Sequence, residues 1–440
     1  MSLDDLRAAV SGAVIAPGDA EWDAARLFHS GIGEPDAVVR AGSADDVRAA
    51  VRWAAGVGVA VMVRGGGHSA WGGLPGGLTI DIAGLDGIDV DGDLVRVGGG
   101  ATWGAVAHAL APLGLGISSG DTASVGVGGL TLGGGIGWMV RAWGLAADQL
   151  VGAQVVTAEG EVVEVGDASH PDLLWALRGG GGNFGVVTRF DFRAHALPSV
   201  VVATYSLEGD ARPALQALAA LLPHAPRELT VTYMDVPAID PSAPAGATIT
   251  ACWAGDDEDA AGASLESLHG VAGVTETEMA VRAYPQLLLE MPPFDPQEPM
   301  PGFIGGNTLL TALSVEAIDR LAAFREARPA SVVFLRSLGG AYADVPADAT
   351  AWAARDATWF AMAGAFDIPG AVSDAERADT RAEWAAIDAL GIGVYGNFTT
   401  STDPEWVPRI YPEPTLERLR QLKRTWDPGN VFSRNHNVVP

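Results

Sequence analysis

The chain has 440 residues, nearly half of them apolar, and a formal net charge of −27. That length predicts two domains or more with an ample buried core, and so acidic a chain excludes a nucleic-acid partner, whose phosphates need clustered Lys and Arg. Cys252, the single cysteine, cannot form an internal disulfide, and no window approaches the run of about 18 apolar residues that spans a membrane. The N-terminus, MSLDDLRAAVSG, carries acids where a secretory signal carries positive charge, so the expectation is a soluble, cytoplasmic protein.

In chain order, Ser43 of GSADDVRAAVRWAAGVG is an N-cap, with acids in the first turn and glycines to stop the helix. VAVMV (59–63) reads as a buried strand, LTIDI (78–82) and LVRVGG (94–99) as two more, and ATWGAVAHALAPLG as a helix. AQVVTAEGEVVEV is a hairpin turning on Glu159-Gly160, HPDLLWALRG a helix and GVVTRFDF (185–192) a strand. These elements predict an α+β domain over residues 1–198, with its core from about 30. From 199 to 390 glycine falls to ordinary levels, and strands VVATYSL, LTVTYMDV and ATITACWAG alternate with helices such as DDEDAAGASLESLHG. A second domain, a sheet with covering helices, is predicted there. Residues 391–440 return to punctuated sequence: VYGNFTT, a helix TLERLRQLKRTW capped by Thr415, then DPGN and VFSRNHNVVP. This tail is expected to pack back onto the first domain.

Of the chain's 57 glycines, 24 lie between Arg64 and Gly137. Two loops concentrate them, RGGGHSAWGG (64–73) and SSGDTASVGVGGLTLGGGIGW (118–138). Without Cβ atoms, successive N–H groups can point into one concavity that a large ligand enters closely. No Lys or Arg stands between Arg96 and Arg141, so phosphates held by that segment would rely on main-chain donors. Tight turns between small β elements are the plain alternative for either loop. There is no GxxxxGK[ST]. Gly126, Gly128 and Gly129 are followed by GGGIG, too glycine-rich to open a stable helix, which disfavours a nicotinamide-type dinucleotide fold. His68, alone in the first loop, is either bonded to a backbone carbonyl or joined to a flat cofactor. His29, His108, His170 and His436 show no metal-ligand spacing and read as structural, so no metal is expected.

RGGGHS after a strand, GDTASVGVGGLTLGGGIG, RAWGLAADQLVGAQVVTAEGEVVEV, DLLWALRGGGGNFGVVTRF, and VYGNFTT with WDPGNVF together resemble the berberine-bridge-enzyme-like FAD-linked oxidases. These belong to the vanillyl-alcohol-oxidase superfamily, and the nearest flavour is the bacterial branch containing 6-hydroxy-D-nicotine oxidase. The resemblance is strong over about 30–198, good over 390–440, and mainly one of layout between them. It implies an α+β fold: a PCMH-type FAD-binding domain of two α+β subdomains, and a substrate domain with an antiparallel sheet covered by helices. It also implies FAD bonded through its 8α-methyl group to His68, within a loop of Arg64, Gly65, Gly66, Gly67, Ser69 and Ala70. The second loop would pass along ring and phosphates through Gly120, Asp121, Thr122, Val125, Gly126, Gly128, Gly129, Leu130, Gly133, Gly134 and Gly137. Gly185 and Val187 match adenine-side contacts, and Asn435 and Asn437 reach toward the flavin from the tail. Many members add a cysteinyl bond in a Cys-Pro-Thr-Val-Gly-x-Gly-Gly pattern. Here Thr122 stands at the cysteine's position, so attachment is expected through His68 only.

The activity implied is oxidation of a small alcohol or amine, of secondary-metabolite, alkaloid or sugar type, by hydride transfer to flavin N5. Molecular oxygen then reoxidises the flavin and gives hydrogen peroxide. Val125 matches a position near C4a where a side chain of modest size admits oxygen. Tyr395 matches a tyrosine that takes the substrate's proton or orients the substrate, with Asn397 beside it in the same strand. A tyrosine merely packed against the ring is the alternative. A dehydrogenase using another acceptor, an oxidative cyclase or oxygenase, and a ligand-storing binding protein stay open as readings of the whole chain. Trp71 and Trp138 are candidates to stack on the ligand, and Tyr284, Tyr342, Trp352 and Arg355 to line the substrate pocket.

Overall fold

A computed structural model describes residues 1–69, 71, 73–237, 246–291, 301–368 and 370–440. Three large sheets organise them. The first has strands Ala13–Ile15, Ala37–Arg40, Leu78–Asp81 and Val61–Arg64 in that spatial order, the last three parallel. Helix Ala44–Val57 packs on it through Val47, Ala50, Val51 and Ala54, the three-and-four spacing of one helix face. Ser43 caps this helix, accepting from Asp46 N–H at 3.1 Å.

The second sheet is antiparallel, in the order Val162–Gly166, Leu150–Val156, Val186–Arg193, Leu94–Gly98, Ile88–Asp91. The hairpin read at Glu159-Gly160 is present, with Gly160 at φ 70°. Helices Trp103–Leu110 and Pro171–Leu177 contribute Trp103, Val106, Leu173 and Leu174 to the core that this sheet shares.

The third sheet has seven antiparallel strands: Val274–Arg282, Val200–Leu207, Gly246–Trp253, Leu229–Val236, Ser331–Ser337, Trp359–Asp367 and Gly302–Leu310. Side chains alternate between its two faces. Tyr205, Val231, Tyr233, Leu335 and Ala361 pack with Leu215, Leu218, Leu321 and Phe324 of helices Arg212–Leu221 and Val315–Ala327. The opposite parity puts Val202 and Cys252 against Trp138 and Tyr284, and pairs Thr232 with Arg336 across neighbouring strands. This second face looks toward the glycine loops. Architecture and fold class match the sequence reading: an α+β cofactor unit of two subdomains and an antiparallel sheet covered by helices.

The second glycine loop also contains a short helix that the sequence reading did not place, Val127–Leu132, which ends before Gly133 so that GGGIG stays outside it. Two local readings need correction. VYGNFTT is not a strand: Gly396–Phe398 forms a 3₁₀ turn. Helix Glu413–Trp426 begins before Thr415, with Pro412 at the cap position. The tail makes buried contacts with residues of the first two sheets and the loops beside them. Lys423 Nζ, wholly buried, donates to Asn183 O at 2.8 Å, Asp427 Oδ2 at 2.7 Å and Phe432 O at 3.0 Å. Val61 N–H then donates to Val431 O at 2.8 Å, tying the tail to the first sheet. Among the described residues no helix is long and apolar enough to cross a membrane.

Candidate active site

Strand Val61–Arg64 delivers the first glycine loop to a cavity of about 450 Å³. The second loop, residues 179–187 and the tail around 395–398 and 432–436 complete the lining. The two loops meet backbone to backbone. A Cβ on Gly66 would stand 2.3 Å from Gly126 N, and one on Gly126 would stand 2.3 Å from Gly66 N. Any side chain there forces the loops apart. A layer below, a Cβ on Gly99 would stand 2.2 Å from Val187 O, and one on Gly128 would stand 3.0 Å from Gly99 O. Gly129 is different: among the described residues nothing lies within 4 Å of its Cβ position.

The His68 ring stacks on His29, centroids 4.1 Å apart and planes 21° from parallel. His29 is fixed in turn, its N–H donating to Gly67 O at 2.8 Å. His68 Nε2 lies 2.9 Å from Ser124 Oγ of the second loop. Burial, helped by the neighbouring His29, holds the His68 pKa down to about 4, so the ring is neutral at pH 7. A neutral imidazole keeps one nitrogen lone pair free for bonding. Arg64 opens this loop, but its guanidinium turns away, to Asp81 Oδ2 at 2.5 Å and the carbonyls of Ala25 and Leu27 at 2.5 and 2.9 Å.

The tail supplies Tyr395 and Asn397. The 3₁₀ turn folds the amide back, and Asn397 Nδ2 donates to Tyr395 Oη at 3.0 Å and to Gly129 O at 3.2 Å. Gly135 N–H also donates to Tyr395 Oη, at 3.1 Å, and Ile136 N–H supports it. Asn307 brackets the tyrosine backbone, accepting from its N–H at 2.7 Å and donating to its carbonyl at 3.2 Å. Burial pushes the phenol up to about 12, against the pull of those donors. Three donors aimed at one oxygen stabilise negative charge that develops on it.

Asp121 receives Arg336 Nη2 at 2.9 Å. Arg336 is 1% exposed, lies 4.1 Å over the Trp138 ring and bonds Thr232 Oγ1 at 2.5 Å. Burial opposes its charge and Asp121 supports it. Asp121 O accepts from Leu289 N–H at 2.7 Å, and Ala123 N–H donates to Leu289 O at 2.9 Å, so the second loop is strapped to the residues leading from the large sheet.

Arg64, Gly65, Gly66, Gly67, His68, Ser69, Gly120, Asp121, Thr122, Val125, Gly126, Gly128, Gly129, Leu130, Gly133, Gly185, Val187, Tyr395, Asn397 and Asn435 all line the cavity. Gly134, Gly137 and Asn437 do not. A Cβ on Gly134 would strike the Trp352 ring at 2.6 Å and one on Gly137 would stand 1.8 Å from Ser119 O, so both glycines serve packing. Ala70 lies outside the described residues. His29 and His436, read as purely structural, do line the cavity, as does Trp71. Tyr284, Tyr342, Trp352 and Arg355 are not among its lining residues; Arg355 is paired with Asp148. Trp138 underlies Arg336 instead. Sequence reasoning missed Ser124, Arg336 and Arg434. Arg434, the one cation of VFSRNHNVVP, was the signal available for the last.

The residues present fit a flavin dinucleotide. Two glycine loops make a cradle that a Cβ would fill, and one neutral imidazole stands in it. Trp71 Nε1, Arg434 Nε and Asn435 Oδ1 are buried at the cavity without a hydrogen-bond partner among the described residues. The fold and site define an FAD-dependent oxidoreductase. A family model described as "FAD binding domain" matches residues 35–166, and one described as "Berberine and berberine like" matches 394–439. The (R)-6-hydroxynicotine oxidase of Paenarthrobacter nicotinovorans is 30% identical over 450 residues, covering 98% of this chain and 97% of its own. A crystal structure of 6-hydroxy-D-nicotine oxidase from Arthrobacter nicotinovorans matches with TM-score 0.81 at 27% identity over 98% of each chain. A chitooligosaccharide oxidase matches in fold, with TM-score 0.87 at 22% identity over 100% of this chain and 99% of its own. The chain belongs to the berberine-bridge-enzyme-like FAD-linked oxidases of the vanillyl-alcohol-oxidase superfamily.

Proposed function

We propose that this chain is an oxidase of a small alcohol or amine, with FAD held by one covalent bond to His68 and molecular oxygen as the acceptor. The observation that carries the reading is one cavity lined by a neutral imidazole in a glycine cradle and by Tyr395 with its converging donors. In the proposed division, residues 1–198 and 391–440 hold the cofactor and 199–390 close over the substrate. Bound FAD supplies the hydride acceptor. Tyr395 takes the proton from the substrate's O–H or N–H, and Asn397, Gly135 and Ile136 stabilise the charge left on its oxygen. Arg434 and the main chain of the loops meet the phosphates, since Arg64 is spent on Asp81.

A single attachment is supported by Thr122 at the cavity and by the distance of the lone thiol from it: Cys252 is fully buried in the large sheet and is not a lining residue. Relatives differ on this point, one structure being described as carrying a 6-S-cysteinyl, 8α-N1-histidyl FAD. The relatives' names speak of nicotine derivatives and of sugar oligomers, which supports a small-molecule donor here. The test has two parts. A denaturing gel under ultraviolet light should show a fluorescent 45.2 kDa band that disappears in His68→Ala. Anaerobic addition of amines, alcohols and glycosides should bleach the flavin with at least one class, and air should restore it with release of hydrogen peroxide. A colourless protein, or a flavin that air does not restore, overturns the proposal.

A further inference from the structure

The inner face of the seven-stranded sheet carries a surface that the proton chemistry does not use. Met234, Phe334, Met362 and Asn307 form one row across four neighbouring strands, so their side chains share that face. The row ends at the reacting phenol, because Asn307 holds the Tyr395 main chain. Met234, Phe334 and Met362 are half-buried, whereas Tyr233, Leu335 and Ala361 on the other face are closed off by helices. Phe334 is linked to the cavity twice. The Arg336 guanidinium, which holds Asp121, lies 5.5 Å from its ring. Phe360 stands 5.9 Å from it on the other side and meets Phe398 at 5.1 Å. Phe398 and Met291 line the cavity and are 39% and 43% exposed.

We propose that this row is the platform for the body of the donor, and that the donor is an aromatic alcohol or amine, not a glycoside. The proposal rests on the oxidase reading above and names its substrate class. On strands Ser331–Ser337, Trp359–Asp367 and Gly302–Leu310, the described residues of this face include one charged side chain, Arg336, and one amide, Asn307. Both are committed: Arg336 to Asp121 and Thr232, Asn307 to the Tyr395 main chain. The rest is Phe, Met, Val, Leu and Gly. One row beyond Phe334, a Cβ on Gly364 would stand 2.2 Å from the Phe303 ring, so even a glycine there is covered by an aromatic. A sugar carries a hydroxyl on nearly every carbon, and each one laid on this surface would lose its water without gaining a partner. A flat aromatic body loses only unfavourable contact with water, and methionine side chains adapt to its outline. Hydrogen-bonding groups are kept for the reacting end: Tyr395, Asn397 and Asp121 line the cavity and serve one O–H or N–H. The donor is therefore amphipathic, with its reacting carbon at Tyr395 and its ring on Phe334 and Met362.

The test compares donor bodies on the holoenzyme. Naphthol, an aromatic with no hydride to give at its hydroxyl carbon, should shift the flavin absorption band on titration, and cellobiose should not. Phe334→Ala and Met362→Ala should each weaken naphthol binding by about tenfold, the factor for one apolar side chain's share of lost burial. Under anaerobic conditions, benzyl alcohol, benzylamine or naphthylmethanol should reduce the flavin faster than cellobiose or glucose at equal concentration. Faster reduction by a sugar, or naphthol binding unchanged in both variants, overturns the proposal and leaves the oxidase reading intact. A flavin that none of the aromatic donors reduces also overturns it, while the oxidase reading falls only if amines, alcohols and glycosides all fail. The comparison of donors needs no variant, so it decides even where Phe334→Ala does not fold.

Discussion

The glycine-loop half and the seven-stranded half close their interiors by opposite means. At the loops, main chain meets main chain, and the decisive distances are those a Cβ would violate at Gly66, Gly99 and Gly126. In the large sheet, side chain meets side chain: Tyr205, Val231, Leu335 and Ala361 interlock with helix residues on one face, and Thr232, Arg336 and Cys252 fill the other. The first arrangement leaves a cavity walled by peptide groups, suited to a ligand that is long, flat and anionic. The second builds a plate whose inner face meets the first through particular side chains, Arg336 among them, beside the main-chain strap at Leu289. The lesson is that cofactor binding here depends on missing atoms, and coupling between the halves on present ones.

The largest effect should come from adding atoms at the loops. Gly66→Val should abolish flavin content and lower stability by about 1–3 kcal/mol, as overpacking does. Gly129→Ala, with no atom of the described residues within 4 Å of the new methyl, should fold with an unchanged Tm. Absorbance near 450 nm and a melting curve on both variants check this. A yellow Gly66→Val protein would break the comparison at its first term.

Next comes the phenol. Tyr395→Phe should lower the rate of flavin reduction by about 10²–10⁴-fold, the range for a lost proton acceptor. It should keep its flavin, because the cradle is elsewhere. In the native chain the phenol's pKa is pushed up to about 12, so the reactive, deprotonated form grows with each pH unit below that value. The reduction rate measured by anaerobic stopped flow should therefore still be climbing at about pH 10. A plateau near neutrality would assign the proton to another group.

Smaller again is the effect of Asp121→Asn, which tests the coupling between the halves. The Asp121–Arg336 hydrogen bond carries charge, and losing it costs about 1.5–3 kcal/mol for such a bond, less here because Asp121 is partly exposed. Its signature should be a lower Tm with Michaelis constant rising more than turnover falls, since the strap through Leu289 moves with it. An unchanged Tm would mean that Arg336 finds Thr232 and Trp138 sufficient.

How far this could be read from sequence follows the same divide. Strand and helix identities were legible wherever the signal is local, as at Ser43, whose side chain caps its own helix. The start of the helix at Glu413 was misplaced because Thr415 imitates a cap, while Pro412 and Pro414 are both tolerated at a helix's first turn. Helix Val127–Leu132 was not placed from sequence: it is one short stretch between glycines, and Gly128 packs closely on Gly99. His68, Tyr395 and Asn397 stood out through motifs that resemble a family. His29, Ser124 and Arg336 did not, because each acquires its role from a contact between segments far apart in the chain.

The smallest effect belongs to the only thiol. Cys252 sits in strand Gly246–Trp253 among Val202, Trp138 and Tyr284, with burial pushing its pKa up to about 12. It is a packing group of the side-chain half, not a member of the backbone-walled cavity. Cys252→Ala should therefore cost about 1 kcal/mol from the lost sulfur and leave the fluorescent band on a denaturing gel undiminished. An alkylating reagent should leave the native thiol untouched and label it after unfolding, since a buried thiol is neither ionised nor reachable. Loss of the fluorescent band in this variant would place a cofactor bond in the large sheet and erase the division of labor between the two halves.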